Sequence, residues 1–259
     1  MKKIMTLAAI FAATMISFTS CEKTPDTPQG DKPNTDQPAD VCPDCGKNPC
    51  ECEPEYASPI TIDGNFADWD ALDASKVAVA TCASDPKYSA LKTLKVYADA
   101  VYVNVYFEFV EDEIADTEWV PFHVYLDADN SATTGGYGDQ WTDAQSEWNL
   151  EGAVIEAGNF CSYDPGLYPW EGGVGESGWL WGESVLSSGS GIGTGAGSGN
   201  KYEFSLLREM LMGVEFADTF GIGVDIQQDW SSVGVLPNAN VTDDNASGLA
   251  PLLRVNVVK

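Results

Sequence analysis

The sequence predicts an all-β fold, an antiparallel β-sandwich of the jelly-roll or immunoglobulin-like type with long glycine-rich loops. Three observations predict it. Apolar and polar residues alternate with period two in many short segments, long helical periodicity is almost absent, and glycine-rich stretches join the segments. Such alternation is typical of antiparallel strands with one buried and one solvated face, and two sheets of such strands pack into a sandwich.

The clearest alternating segments are predicted strands, namely residues 101–109, 120–127, 202–206, 220–227 and 253–257. Their intervening polar residues are expected to form a solvated outward face or to hydrogen-bond a ligand. On the later strands these polar residues are Asp225, Gln227, Arg254 and Asn256. The glycine-rich stretch SSGSGIGTGAGSGN, residues 187–200, contains only Ile192 as a core-forming residue. It is therefore predicted to be a flexible hairpin excursion.

The N-terminus predicts export. Lys2 and Lys3 precede an apolar run from Ile4 to Phe18, and Cys21 follows shortly after it. A short basic start, an apolar run and a nearby cysteine are typical of a secretory signal that ends at a lipid-modified residue. The segment resembles the lipobox of bacterial lipoproteins, although Phe18 replaces the usual aliphatic residue. Residues 1–20 are thus predicted to be a lipoprotein signal peptide and Cys21 the lipid anchor. The resemblance implies a Bacteroidetes-type outer membrane lipoprotein at the cell surface.

Residues 21–57 are predicted to be a disordered tether, because Pro, Asp, Thr and Lys dominate and almost no apolar residue is present. Four cysteines lie close together in it: Cys42, Cys45, Cys50 and Cys52. Two short-range disulfides are expected outside the inner membrane, with a zinc knot or free thiols as alternatives. Residues 58–259 are predicted to form a single sandwich domain. Within that domain, Cys82 and Cys161 either pair or sit apart as small buried hydrophobes.

The charge balance excludes one class of partner. The chain has 13 basic and 40 acidic residues, and its net charge is −27. Nucleic-acid binding requires a basic patch, so no nucleic-acid partner is expected. A charge of this size opposes a compact fold by self-repulsion, which bound cations would offset. Acidity that only keeps a surface protein soluble is the alternative.

An acidic loop follows the predicted strand at 120–127. Asp127, Asp129 and Asn130 lie where the chain leaves the strand, and the glycines after them allow backbone carbonyls to turn inward. Ca²⁺ takes roughly 6–8 such oxygen ligands. The loop is not an EF-hand, because Gly138 stands where that motif needs its bidentate Glu. The alternative is a solvated turn in which Asp and Asn bond their own backbone. We expect a structural calcium ion here, and the residues able to complete its shell are Asp139, Asp143 and Glu151.

Three segments in order resemble family-9-like carbohydrate-binding modules, which are related to DOMON domains. They are ITIDGNFADWDAL at residues 60–72, the acidic loop after residue 126, and KYEFSLLRE at residues 201–209 with a final hydrophobic strand. The resemblance covers essentially the whole predicted domain. It implies a β-sandwich, a structural Ca²⁺, sugar binding, and pairing of the 201–209 strand with the last strand in a C-terminal sheet.

Tryptophans are the candidate sugar contacts. Trp69 belongs to the opening motif and is predicted to be buried. The other seven cluster in predicted loops, where flat apolar rings suit stacking against pyranose C–H groups. The glycan-binding candidates are Trp170 in LYPWEGG, Trp181, and Trp230 in QQDWSSVG. Core packing is the alternative for each of them.

These observations favour a non-catalytic, calcium-stabilised glycan-binding lipoprotein of the cell envelope. Its partners would be a polysaccharide or oligosaccharide, an outer-membrane uptake complex, and the membrane through the lipid anchor only. No enzyme activity is expected: His123 is the only histidine, no nucleophile elbow accompanies it, and no carboxylate pair stands out in so acidic a chain. The alternative function is a structural or adhesive surface protein that binds a protein partner and no sugar.

Overall fold

A computed structural model describes residues 56–110, 118–137, 139–143, 145–186, 189–211 and 213–259. The predicted signal peptide, the anchor Cys21 and the four tether cysteines lie outside the described residues. Tyr56–Lys259 form one compact unit. Within the described ranges, no helix is long and apolar enough to cross a membrane.

Strands are the main regular secondary structure of the described chain, together with one short helix, α1 (Ala67–Ala71), and two 3₁₀ helices, Ala74–Lys76 and Arg208–Met210. The described strands are β1 (Ala78–Thr81), β2 (Leu91–Ala98), β3 (Tyr102–Phe109), β4 (Trp119–Asp127), β5 (Trp148–Glu156), β6 (Asn159–Phe160), β7 (Gly166–Pro169), β8 (Gly193–Ser198), β9 (Lys201–Leu207), β10 (Thr219–Gln228), β11 (Ser231–Leu236) and β12 (Leu253–Asn256).

The strands form two antiparallel sheets. A five-stranded sheet has the order β1-β2-β3-β9-β8. A seven-stranded sheet has the order β11-β10-β4-β5-β6, with β12 also beside β10 and β7 also beside β5. All of these strand pairs are antiparallel. The predicted all-β sandwich is therefore confirmed.

The main core lies between the two sheets. It takes every second residue of the central strands, such as Val105 and Phe107 of β3, Phe122 and Val124 of β4, and Phe204 of β9, all fully buried. Aromatic rings cross between the sheets, with the Phe107 and Phe122 ring centroids 5.0 Å apart. These are the apolar positions of the alternating sequence pattern, so the pattern located the inner faces correctly.

The opening motif packs on the outer face of the five-stranded sheet. Trp69 of α1 is buried, as predicted, in a second cluster with Ile60, Tyr97 and Tyr106. Its indole nitrogen donates to Glu203 Oε2 at 2.8 Å, and the Gly64 amide donates to Glu203 Oε1 at 2.8 Å. Gly64 has φ of +78°, a left-handed conformation that glycine adopts without strain. Glu203 thereby ties the turn and the tryptophan to the sheet.

The outer face of the seven-stranded sheet is also buried, and here the prediction of half-buried strands was wrong. On β4, His123, Tyr125 and Asp127 face away from the main core and are nevertheless buried. The loops at 128–147 and 170–182 fold over this face, because their aromatic side chains pack on Tyr125. This third cluster consists of Tyr125, Tyr137, Trp141, Trp181, Val235 and Leu252.

The loops over this face also bury two of the outward polar residues of the later strands. Asp225 and Gln227 were expected to be solvated and are instead buried. Arg254 forms ion pairs with Asp127 and Asp143, and Asn256 stays exposed and bonds Thr219.

The glycine-rich segment forms a strand, which corrects the prediction of a flexible excursion. Gly193–Ser198 is β8, an edge strand that pairs with β9 through a tight hairpin. A Cβ at Gly195 would lie 2.1 Å from the Tyr202 hydroxyl, so the missing side chain lets this ring pack directly on the strand. Close packing, and not flexibility, accounts for the glycine here.

The predicted pairing of the 201–209 segment with the last strand was also wrong. β9 pairs with β3 and β8, whereas β12 pairs with β10 in the other sheet. Cys82 and Cys161, for which pairing was left open, are free thiols. Burial raises the pKa of the Cys161 thiol.

Candidate functional site

An open pocket lies on the covered face of the seven-stranded sheet. Its volume is about 600 Å³. Strands supply its floor and the two loops over the sheet supply its walls; the lining residues are His123, Tyr137, Gln140, Glu151, Tyr168, Trp179, Gln227, Trp230 and Ser232. A cavity of this size with aromatic walls and a few polar groups has the character of a small-molecule site.

The floor centres on His123 of β4, the middle strand of the sheet. The strand register places Glu151 of β5 on one side of His123 and Asp225 of β10 on the other. His123 Nε2 lies 3.2 Å from Glu151 Oε2, and His123 itself is only 1% exposed. The imidazole is thus held between two carboxylates under the pocket.

Asp225 organises the polar groups beside His123. Its Oδ2 accepts hydrogen bonds from Gln227 Nε2 at 2.8 Å and from Ser232 Oγ at 2.9 Å. Gln140 Nε2 in turn donates to Ser232 Oγ at 3.3 Å. Burial raises the pKa of Asp225 to about 6, while the electrostatic effect of His123 and the hydrogen bonds from Gln227 and Ser232 act to lower it. Asp225 is fully buried and does not line the pocket, so it positions the groups that do.

Two exposed indoles stand at the pocket. Trp179 is 52% exposed and Trp230 is 58% exposed. Both contact the His123 ring, with centroid separations of 5.8 Å for Trp179 and 6.4 Å for Trp230. Exposed aromatic rings grouped beside a cavity are a feature of binding surfaces.

Trp230 is held in an unfavourable backbone conformation. Asp229 and Trp230 form the two-residue connection between β10 and β11, with φ of 47° and 60°. A hairpin connection with both residues left-handed normally uses Asn-Gly or Asp-Gly. A residue with a Cβ costs roughly 1–2 kcal/mol in this region. An exposed tryptophan where the fold prefers glycine points to a role in function.

The predicted sugar-contact tryptophans have different positions. Trp230 lines the pocket. Trp181 is 9% exposed and belongs to the third cluster, and Trp170 packs edge-on against it at 5.0 Å. Trp179 was not among the predicted sugar contacts. No local alternation separates it from Trp181, because residues two apart lie on the same face of an extended segment. Only the fold shows that Trp179 is exposed and Trp181 buried.

An acidic cluster lies at the far end of β4. Leu126 pairs with Trp148, so Asp127, which follows Leu126, lies beside Glu147, which precedes Trp148. Asp127, Asp129 and Glu147 thereby offer ligand oxygens that all lie within 4.8 Å of one another, so this cluster could hold a metal ion. Nothing in the set itself distinguishes calcium from another hard cation.

Two oxygens of this cluster lack a protein partner. Asp127 Oδ1 and Glu147 Oε1 are buried without a hydrogen-bond partner among the described residues. Burial raises the pKa of Glu147 to about 7, with the nearby charges of Asp129 and Asp127 contributing. The pKa of Asp127 is also raised by burial, although Arg254 opposes this shift. A cation would satisfy the two bare oxygens, so the residues present fit a metal site.

The other predicted ligands are distributed around the cluster. Asp143 pairs with Arg254 at 2.7 Å, and Arg254 also bonds Asp127. Asn130, with φ of 53°, and Asp139 are both exposed. Glu151 lies on the pocket floor beside His123. Glu147 was missed because it sits outside the acidic loop in sequence and joins it only through strand pairing.

No family model matches the chain, and no curated protein matches it.

Proposed function

We propose that this protein is a non-catalytic glycan-binding lipoprotein of the cell envelope, stabilised by calcium. The observation that carries the proposal is the pocket in which exposed Trp179 and Trp230 stand over a polar floor. Indole faces stack on the C–H groups of a sugar ring, and Gln227 and Glu151 are placed to bond its hydroxyls. The resemblance of three sequence segments to family-9-like carbohydrate-binding modules points the same way.

Carboxylate accessibility supports a binding role over hydrolysis. Glycoside hydrolysis needs two carboxyl groups that flank the bond to be cleaved. Here Glu151 contacts His123, and Asp225 is fully buried beneath the pocket. A substrate in the pocket would meet only one of the two.

Calcium would stabilise the wall of this pocket. Asp127, Asp129 and Glu147 bracket the loop that carries Tyr137 and Gln140 to the pocket. A bound cation would neutralise their mutual repulsion and hold both ends of that loop. The ion would supply structure and no chemistry.

The test is a glycan array followed by affinity electrophoresis in gels containing the polysaccharides that score. We expect retarded migration, and loss of retardation in Trp179→Ala and in Trp230→Ala. If a sugar covers about 60 Å² of one ring, about 25 cal/mol per Å² gives about 1.5 kcal/mol, or about tenfold in affinity. Leu180→Ala is the matched control, because Leu180 is exposed next to Trp179 and does not line the pocket. Unchanged retardation in both tryptophan variants would contradict the proposed site.

A second candidate function is adhesion to a protein partner. It is favoured by three exposed apolar side chains, Val174, Leu180 and Val185, in the segment that carries Trp179. An empty glycan array together with a defined protein partner in a pull-down would support adhesion over sugar binding.

A further inference from the structure

Three polar side chains of the pocket offer hydrogen-bond acceptors to a ligand. Ser232 donates its only hydroxyl proton to Asp225, so towards a ligand Ser232 can only accept. Gln227 also uses one N–H on Asp225 and retains its carbonyl oxygen. Gln140 Oε1 is buried without a hydrogen-bond partner in the described part of the chain. These three side chains can together accept hydrogen bonds from the N–H or O–H groups of a ligand.

One carboxylate lines the pocket, and the basic side chain beside it is His123. Glu151 is this carboxylate, and about a quarter of its side chain is exposed, at 24%. A carboxylate can accept about four hydrogen bonds, so Glu151 retains capacity beyond its contact with His123. None of the described lining residues is a lysine or an arginine. An anionic sugar would thus meet the carboxylate of Glu151 and no lysine or arginine among the described lining residues.

The aromatic walls fit a cation as well as a sugar face. Trp179 and Trp230 both lie against His123, the residue that Glu151 contacts. An ammonium group near Glu151 would therefore lie close to two indoles. A cation over an indole face is attracted by the negative face of the ring, and more strongly when water is excluded.

We propose that this pocket selects a sugar that carries a protonated amine, with Glu151 as its counter-ion and the two indoles against its ring. The inference rests on the proposed glycan-binding function and adds the ligand's charge. An ammonium group supplies three donors and a positive charge at once, which is what the acceptors and the carboxylate lack. A neutral sugar would satisfy the acceptors through its hydroxyls but would leave the charge of Glu151 unpaired.

A series of three β-1,4-linked oligosaccharides tests this, because they differ only at carbon 2 of each sugar. The probes are oligomers of glucosamine, N-acetylglucosamine and glucose of equal length, titrated into the full chain by calorimetry at one mildly acidic pH, at which the glucosamine amines are protonated. We expect the glucosamine oligomer to bind at least about tenfold more tightly than the other two. Glu151→Gln should abolish most of that preference, because it should weaken the glucosamine oligomer far more than the glucose oligomer.

Non-specific attraction of a polycation to an acidic protein is separated by two further variants. Glu156→Gln removes an exposed carboxylate from the same strand, outside this pocket, and should leave the preference intact. Trp179→Ala should weaken the glucosamine oligomer by about tenfold, whereas surface attraction would be insensitive to it. Thermal unfolding of each variant checks that it is folded.

Several outcomes would overturn the inference. Equal binding of all three oligomers would do so while leaving glycan binding in place. If the preference for the glucosamine oligomer survives both Glu151→Gln and Trp179→Ala, it comes from the acidic surface of the protein and not from this pocket. If none of the three oligomers binds, the inference fails, and the glycan array then decides the broader function separately.

Discussion

Trp230 connects backbone strain to function at the scale of a single residue. Its left-handed conformation costs free energy, and its side chain is more than half exposed, so burial of the indole offsets little of that cost. Natural proteins retain such a residue where function requires it. The T-shaped contact with Trp119, at 4.9 Å between centroids, fixes the orientation of the ring.

A comparison of Trp230→Gly with Trp230→Ala isolates the strain. Both variants remove the indole, but only glycine relaxes the left-handed conformation. We expect the glycine variant to be more stable than the alanine variant by about 1 kcal/mol in urea unfolding. Both variants should lose affinity for the glycan equally. Equal stabilities would show that the position is not strained.

Asp225 makes stability depend on pH. Its pKa is raised by burial to about 6, above the ordinary value of 3.8, so folding favours the protonated form. The free energy of unfolding therefore loses a contribution as pH rises from about 4 to about 6, and the loss is complete above that. The loss approaches about 3 kcal/mol, since each pKa unit corresponds to about 1.4 kcal/mol.

The test compares Asp225→Asn with the unaltered protein across that pH range. Asparagine keeps the shape and an acceptor for Gln227 and Ser232 but cannot ionise. The variant should match the parent near pH 4 and exceed it by about 1–3 kcal/mol at pH 7. A stability difference that stays constant with pH would refute the assignment of the buried charge.

The loop at 170–182, over the seven-stranded sheet, carries one buried indole and one exposed indole. Trp181 is in the third cluster, and Trp179 two residues earlier is exposed at the pocket. Trp181→Ala should cost about 3–5 kcal/mol of unfolding free energy, because it leaves a cavity among rings. Trp179→Ala should change stability by less than about 0.5 kcal/mol.

Calorimetric unfolding of the two variants tests the division. The pair is well matched, since the same side chain is removed from the same short segment. Comparable destabilisation by both would mean that the exposed indole also supports the fold. It would then be a poor probe of ligand binding.

Local periodicity predicted β3, β4, β9, β10 and β12 because each has one face in the central core. It could not predict that the other face of β4 and β10 is buried too. That burial depends on distant loops whose aromatic residues return to the sheet, as Tyr137 and Trp141 do. β8 was missed because glycine carries no apolar signal, and its pairing with β9 became evident only in three dimensions.

The site was partly predictable for the same reason. Asp127 and Asp129 are close in sequence, and the structure brings them together as expected. Glu147 and Gln227 reach their sites only through strand register, which one sequence does not specify. Trp230 was identifiable because a tryptophan in a short connection between two alternating segments stands out.

For the whole molecule, the net charge of −27 opposes folding by self-repulsion, so a bound cation would stabilise the folded state. A metal that binds only the folded state at a hundredfold excess over its Kd contributes about 2.7 kcal/mol. For a domain of this size that is roughly 5–10 °C in Tm, at about 2–4 °C per kcal/mol. We therefore expect EDTA to lower Tm by that amount and added Ca²⁺ to restore it.

Asp129→Asn provides the control for this prediction. Asp129 bonds Ser131 and Thr134 within its turn, and asparagine can keep those bonds while losing the charge. The variant should resemble the parent in EDTA and gain much less from Ca²⁺. If EDTA does not change the Tm of the parent, calcium does not stabilise this protein. If Mg²⁺ restores the Tm and Ca²⁺ does not, the stabilising ion is not calcium.

A crystal structure of the full chain with calcium and an oligosaccharide that scores on the array would test directly whether this pocket binds a sugar. We expect a sugar ring stacked on Trp179 or Trp230, with Gln227 and Glu151 bonded to its polar groups. Density for the sugar elsewhere on the surface, with neither indole in contact, would contradict this expectation.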